Sequence, residues 1–299
     1  MRSKQFFDLW EQKGYHVTPT HFYQQIPDTR GFPLDLYEAE SPLLGIDIRE
    51  DEQLLLLKKF SKKYRDEYDK FRFGGSDDED VFYFENNAFE TIDAEILYCM
   101  VRELKPANII EIGSGYSTRV TAMAIRQNRA EDSSYSCGLT CIEPYPMDWL
   151  TRIPEVSYII ESKVETLPIG TFSCLGENDI LFIDSSHTIN VYNDVCFEYL
   201  EVLPSLNNGV HIHIHDIILP LRYSEYWYNM RCFWNEQYLL QAFLAFNSSF
   251  RVRWAANYMH LKHPSSLAEA FSSYSQFKNS PDLRKRSQGH KSFWIQKSD

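Results

Sequence analysis

The sequence predicts an α/β fold: a Rossmann-like, mostly parallel seven-stranded sheet with helices on both faces, the last strand antiparallel, and an N-terminal, mainly helical extension. Three observations carry this. From residue 108 onward, short apolar runs alternate with helix-compatible stretches. The first run leads through a glycine turn, Gly113-Ser114-Gly115, directly into a helix start, the opening of a βαβ unit. The runs end in polar residues, where an open α/β sheet places its ligand crevice.

The elements follow in order. Pro19, Pro27, Pro33 and Pro42 break up the first 45 residues. The spacing of Leu54, Leu55, Leu57, Phe60, Tyr64, Tyr68 and Phe71 predicts a helix over 50–71. Residues 73–80 read as an acidic turn, and a second helix over 91–104 ends before Pro106. Strands are expected at 108–112, 138–142, 156–160, 179–183, 209–214 and 250–255, with a short last one at 292–296. Helices are expected at 118–128, 191–203 and, rich in aromatics, 232–246. The expected division is a helical or irregular cap over 1–90 and the main domain over 91–299.

Bulk properties narrow the function. A net charge of -12 over 299 residues argues against nucleic acid and anionic membranes as partners, since both need a basic face. The dense basic run Arg284–Arg286, with Lys291 and Lys297 nearby, reads as solvated surface. No apolar run approaches the roughly 18–20 residues of a membrane span, and the N-terminus lacks the apolar core of a signal peptide. The six cysteines lie mostly in apolar contexts and form no zinc-site pattern, so reduced, largely buried thiols in a cytoplasmic protein are expected.

The chemistry concentrates at the strand ends. Glu111 stands two residues before Gly113, where a carboxylate would repel a pyrophosphate but suit an ammonium or sulfonium ligand. Thr118 replaces the third glycine of the dinucleotide fingerprint. The ligand implied is S-adenosylmethionine rather than NAD. Glu143, ending the next strand, is placed to accept hydrogen bonds from two ribose hydroxyls; Glu165 and Val164 are placed for the adenine. Asp184, His187, His215 and Asp216 end the fourth and fifth strands, and an ordinary imidazole titrates where a general base should at neutral pH.

The segments 110–118, 141–144, 179–187 and 209–217 resemble class I S-adenosylmethionine-dependent methyltransferases, in the branch of catechol and macrolide-sugar O-methyltransferases. The resemblance covers about Ala94 to Pro220, and residues 1–90 fall outside it. It implies that Gly113, Ser114, Gly115, Tyr116, Ser117 and Glu143 contact the cofactor, with Asp184 at the reaction centre. That branch often holds a divalent metal, which implies Asp184, His215 and Asp216 as ligands. Histidine in place of the usual Asp makes Mg²⁺ a poorer match than Zn, Fe, Ni or Mn, and a metal-free site with His187 or His215 as base is equally open.

The expected reaction is methyl transfer to a hydroxyl of a small-molecule acceptor, with Asp184, His187 and His215 as catalytic residues; a homodimer is compatible with it. Two other readings stay open at this point. One is a metal-dependent hydrolase built on His211, His213, His215 and Asp216, which project from one strand face. The other is a non-catalytic subunit that keeps the cofactor pocket. Aromatic residues outside the core suit an acceptor pocket, and residues 21–28 suit a lid.

Overall fold

The computed structural model describes residues 4–33, 35–75, 81–279 and 290–298. The basic run Arg284–Arg286 and part of the acidic turn lie outside them. Three helices come first: α1 (Lys4–Glu11), α2 (Glu50–Tyr68) and α3 (Asp93–Leu104). Then follow β1 (Asn108–Ile112), α4 (Tyr116–Glu131), β2 (Gly138–Ile142), β3 (Val156–Ile160) and β4 (Ile180–Ile183). Next, α5 (Asp194–Phe197) runs through a π-helical turn, Glu198–Val202, into α6 (Leu203–Ser205) and β5 (His211–Ile214). The chain continues with α7 (Glu225–Asn229), α8 (Glu236–Leu244), β6 (Phe250–Ala255), α9 (Ala256–Lys262), α10 (Pro264–Ala270), α11 (Ser272–Asn279) and β7 (Phe293–Lys297).

The seven strands form one sheet in the order β3-β2-β1-β4-β5-β7-β6. β7 is inserted antiparallel between β5 and β6, and the other pairings are parallel. The expected sheet, with its antiparallel last strand, is the one observed. Period-two alternation sorts its side chains. Ile109, Leu139, Cys141, Ile180 and Phe182 face the helices α2, α3 and α4 in one core. Ile110, Ile112, Ile142, Leu181, Ile183, Ile212 and Ile214 face Val195, Val202, Leu240 and Leu244 in the other.

The family resemblance stops near residue 90, but packing does not. Leu57, Phe60, Tyr64 and Tyr68, one face of α2, join the first core. Arg102 of α3, nearly fully buried, reaches Glu67 of α2 at 2.7 Å and also contacts Glu131 and Asn128 of α4. Gln53 accepts a hydrogen bond from the Ala255 backbone at 2.8 Å, tying α2 to β6.

Two helices start later than their apolar spacing suggests. The one expected from 191 begins at Asp194, because the Asn193 side chain caps it by accepting from Cys196 N. Val191 and Tyr192 stay exposed before it. The aromatic helix expected from 232 begins at Glu236, after α7 and a turn. Of the cysteines, Cys99, Cys137 and Cys141 are buried, whereas Cys174 is exposed. Among the described residues no helix is long and apolar enough to cross a membrane.

Candidate active site

The chain reverses its direction of travel across the sheet between β1 and β4, which is where an open α/β sheet splays into a crevice. The ladder runs one residue past the strand tips. Gly113 N donates to Ile142 O, Glu143 N to Ile160 O, Asp184 N to Ile112 O and His215 N to Ile183 O, at 2.9 to 3.0 Å. Four sequence-predicted residues therefore stand in one row along the sheet edge. Gly113 has φ +80°, and a Cβ there would meet the Asp184 carbonyl oxygen at 2.0 Å, so the turn accepts glycine alone. A Cβ at Gly115 would meet nothing within 4 Å.

A cleft of about 380 Å³ opens above this turn. Gly113, Glu143, Val164, Glu165 and Asp184 line it, joined by Tyr145, Lys163 and Asn193. Glu143 accepts from Ser114 N at 3.2 Å and Tyr145 N at 2.9 Å, which fixes its carboxylate at the rim with lone pairs to spare.

Three expected cofactor residues direct their side chains elsewhere. Glu111 shares the strand face of Ile109, so it points under α4 and is buried, outside the cleft lining. It accepts from Ser117 Oγ at 2.7 Å, from Thr118 Oγ1 at 2.6 Å and from Cys141 Sγ at 3.6 Å. Burial raises its pKa to about 7. Its role here is to brace the first turn of α4. Tyr116 pairs through its hydroxyl with Tyr83 at 2.8 Å, and Ser117 is committed to Glu111, leaving the start of α4 to offer backbone N–H groups.

Beyond Asp184 lies a dense polar cluster. His187 Nε2 is 3.3 Å from Asp184 Oδ1 and 3.2 Å from Asp216 Oδ2, and His187 Nδ1 is 2.9 Å from Glu236 Oε2. His215 Nδ1 lies 3.4 Å from Asp184 Oδ1, and its Nε2 lies 3.7 Å from Asp93 Oδ2. Among the described residues, the ligand-type atoms that gather within 4.8 Å of one another belong to Asp184, His187 and Asp216. His187 therefore stands where His215 was expected in the candidate metal trio.

The electrostatics change the role of the histidines. Burial opposes charge on His187, but Asp184, Asp216 and Glu236 outweigh it and hold its pKa well above the ordinary imidazole value. The same contest lifts His215 to about 10, with Asp184 and Asp216 the main partners. The surrounding carboxylates thus favour the charged form of both rings, which works against the role of general base. Asp184 is depressed in turn: burial would raise it, but the His215 and His187 charges keep it low.

His211 and His213 are buried in the core, and among the described residues they do not join the ligand group of Asp184, His187 and Asp216. His213 stacks on Phe182 at 4.1 Å and meets Ser292 Oγ at 3.0 Å. Burial pushes both rings toward the neutral form.

Sequence reasoning missed Glu236, Asp93 and Lys291. The first two sit on helices with no motif around them. Lys291 was expected at the surface, yet its side chain is only 13% exposed and its Nζ lies 2.9 Å from Asp216 Oδ1. The missed signal is its place just before the last strand, which enters the sheet beside β5. The segment 21–28, expected as a lid, leaves Phe22 81% and Tyr23 77% exposed. Phe32 and Tyr37 do reach the aromatic segment after β5, each packing on Tyr228.

Residues 110–217 match a family model described as a methyltransferase domain. An uncharacterized protein of Archaeoglobus fulgidus is 29% identical over 175 residues, covering 56% of this chain and 77% of that protein. Two solved structures are distant likenesses at 12% identity. An O-methyltransferase from Bacillus cereus in complex with SAH has a TM-score of 0.38, with 83% of this chain and 91% of that one covered. The plantazolicin methyltransferase BpumL in complex with SAH has a TM-score of 0.33, with 84% and 99% covered. Both lie too far away to speak for this chain's reaction. The matched segment contains the glycine turn, the cleft and the strand-end carboxylates, and over those residues the chain is similar to a methyltransferase domain.

Proposed function

We propose that the chain transfers the methyl group of S-adenosylmethionine to a hydroxyl of a small-molecule acceptor. The observation that carries this reading is the cleft above Gly113, with Glu143 at one end and the Asp184 cluster at the other. Glu143 would hold the ribose hydroxyls, Val164 and Glu165 would flank the adenine, and the Gly113–Ser117 backbone would receive the methionine end. When bound, the sulfonium supplies an electrophilic methyl group.

The protein's own task is alignment and proton handling. Asp184, about one-third exposed, is the member of the cluster that lines the cleft. A hydroxyl that donates to Asp184 becomes strongly acidic as its oxygen takes the methyl group. Even a carboxylate of low pKa then accepts the proton. His187 and His215, whose carboxylate neighbours favour their charged forms, flank Asp184 at 3.3 and 3.4 Å and would orient it. Asp216 is already matched by Lys291, so the reading draws on no divalent ion.

Calorimetry with S-adenosylmethionine and S-adenosylhomocysteine tests the reading. Micromolar binding, about -8 kcal/mol, is expected. Absence of binding to either would remove it, and turnover confined to amine or carbon acceptors would remove the hydroxyl assignment.

A further inference from the structure

We propose that Lys291 is a built-in substitute for a divalent cation at the acceptor end of the cleft, closing the Asp184–His187–Asp216 group to metal ions. The assignment of that end to the acceptor rests on the methyltransferase reading above; the exclusion of metal rests on geometry alone. Asp184, His187 and Asp216 hold the right atom types at the right mutual distances for a transition-metal ion. Such a group of buried carboxylates needs a positive partner. Here the chain supplies two: His187 lies between the two carboxylates, and Lys291 takes the outer oxygen of Asp216. The Lys291 ammonium sits 2.9 Å from Asp216 Oδ1, the oxygen opposite the one that faces His187.

The placement is built rather than incidental. Lys291 N donates to Asp93 Oδ2 at 2.9 Å, and Lys291 O accepts from Ile217 N at 3.0 Å, so the backbone is pinned on both sides of Asp216. Trp227 covers the ammonium, its ring centroid 5.3 Å from Nζ, and Trp227 stacks on Trp234, which packs on His187. A buried ammonium held this close to one ligand carboxylate repels a dication placed on the other oxygen of the same group.

The test is manganese binding to the full-length, chelator-treated protein, followed by calorimetry and electron paramagnetic resonance. Wild type, Lys291→Arg, Lys291→Met and Lys291→Gln are compared, with S-adenosylhomocysteine affinity measured on each sample. Wild type and Lys291→Arg are expected to bind manganese no more tightly than the millimolar range. Lys291→Met or Lys291→Gln should gain about tenfold or more. Micromolar manganese binding by wild type overturns the proposal. So does a folded uncharged variant with no gain, Lys291→Gln deciding where Lys291→Met fails to fold. Loss of S-adenosylhomocysteine binding in wild type would instead strike the methyltransferase reading and leave the manganese comparison readable.

Discussion

The Glu236 carboxylate meets His187 Nδ1 at 2.9 Å, joining the N-terminus of α8 to the loop that leaves β4. Glu236 is fully buried and also accepts from Tyr199 at 3.1 Å. The His187 carbonyl takes the Asn235 and Glu236 N–H groups at 3.0 and 3.1 Å, so ring and backbone are held by the same helix end. Glu236 is therefore a positioning residue. Glu236→Gln should lower kcat on the order of 10²-fold while S-adenosylhomocysteine affinity stays level. Because the variant removes a charge that sustains the His187 proton, the pH–rate profile should also shift to lower pH. An unmoved profile with intact kcat would remove the role.

Glu143 is held by two backbone N–H groups and keeps lone pairs toward the cleft. Glu143→Ala should weaken S-adenosylhomocysteine binding by about 1 kcal/mol or more, the order of a hydrogen bond to a charged group. Calorimetry reads this directly, and unchanged affinity would take the ribose away from Glu143.

Gly113→Ala places a Cβ against the Asp184 carbonyl and forces a left-handed φ on alanine. The turn and the Asp184 strand tip must separate to admit it. A stability loss of roughly 1–3 kcal/mol from backbone strain alone is expected, with the steric clash adding to it. Denaturant unfolding of the variant measures it; a loss within experimental scatter would contradict the packing described.

Glu111 gives stability a pH dependence with a definite sign. Its folded pKa is raised from 4.5 to about 7 by burial. The protonated form is thus favoured by folding, and that contribution is fully present below 4.5 and lost as pH rises through about 7. Relative to Glu111→Gln, the wild type should lose stability between those two values and run parallel above them. Thermal melts of both proteins across that window check it, and parallel curves throughout would mean that Glu111 is ionised in the fold.

Much of the fold was legible because its signals are local. Ile109 to Ile112 and Ile180 to Ile183 are short, mostly apolar runs bounded by turns, Phe250 to Ala255 alternates apolar residues with Arg251 and Arg253, and the spacing of Leu57, Phe60, Tyr64 and Tyr68 is helical. Strand-end residues such as Glu143, Asp184 and His215 could be named in advance because β-strands deliver their last residues to one edge. What escaped was pairing at a distance. His187 and Glu236 stand 49 residues apart, and nothing near Glu236 advertises a buried carboxylate. Glu111 was placed on the right strand, but its parity with Ile109 turns its side chain beneath α4 and out of the cleft lining, which strand position alone does not reveal. The histidine pKa values depend on carboxylates gathered from four segments, which spacing along the chain cannot reveal.

The insertion of β7 between β5 and β6 has a consequence for assembly. Among the described residues β6 pairs with no strand except β7, so it has no partner until residues 293–297 are in place. The same late segment carries Lys291 to Asp216. A chain without this segment would leave the β5 edge unpaired and Asp216 without its lysine. The closing strand and the lysine at Asp216 thus enter the fold together, on one short segment.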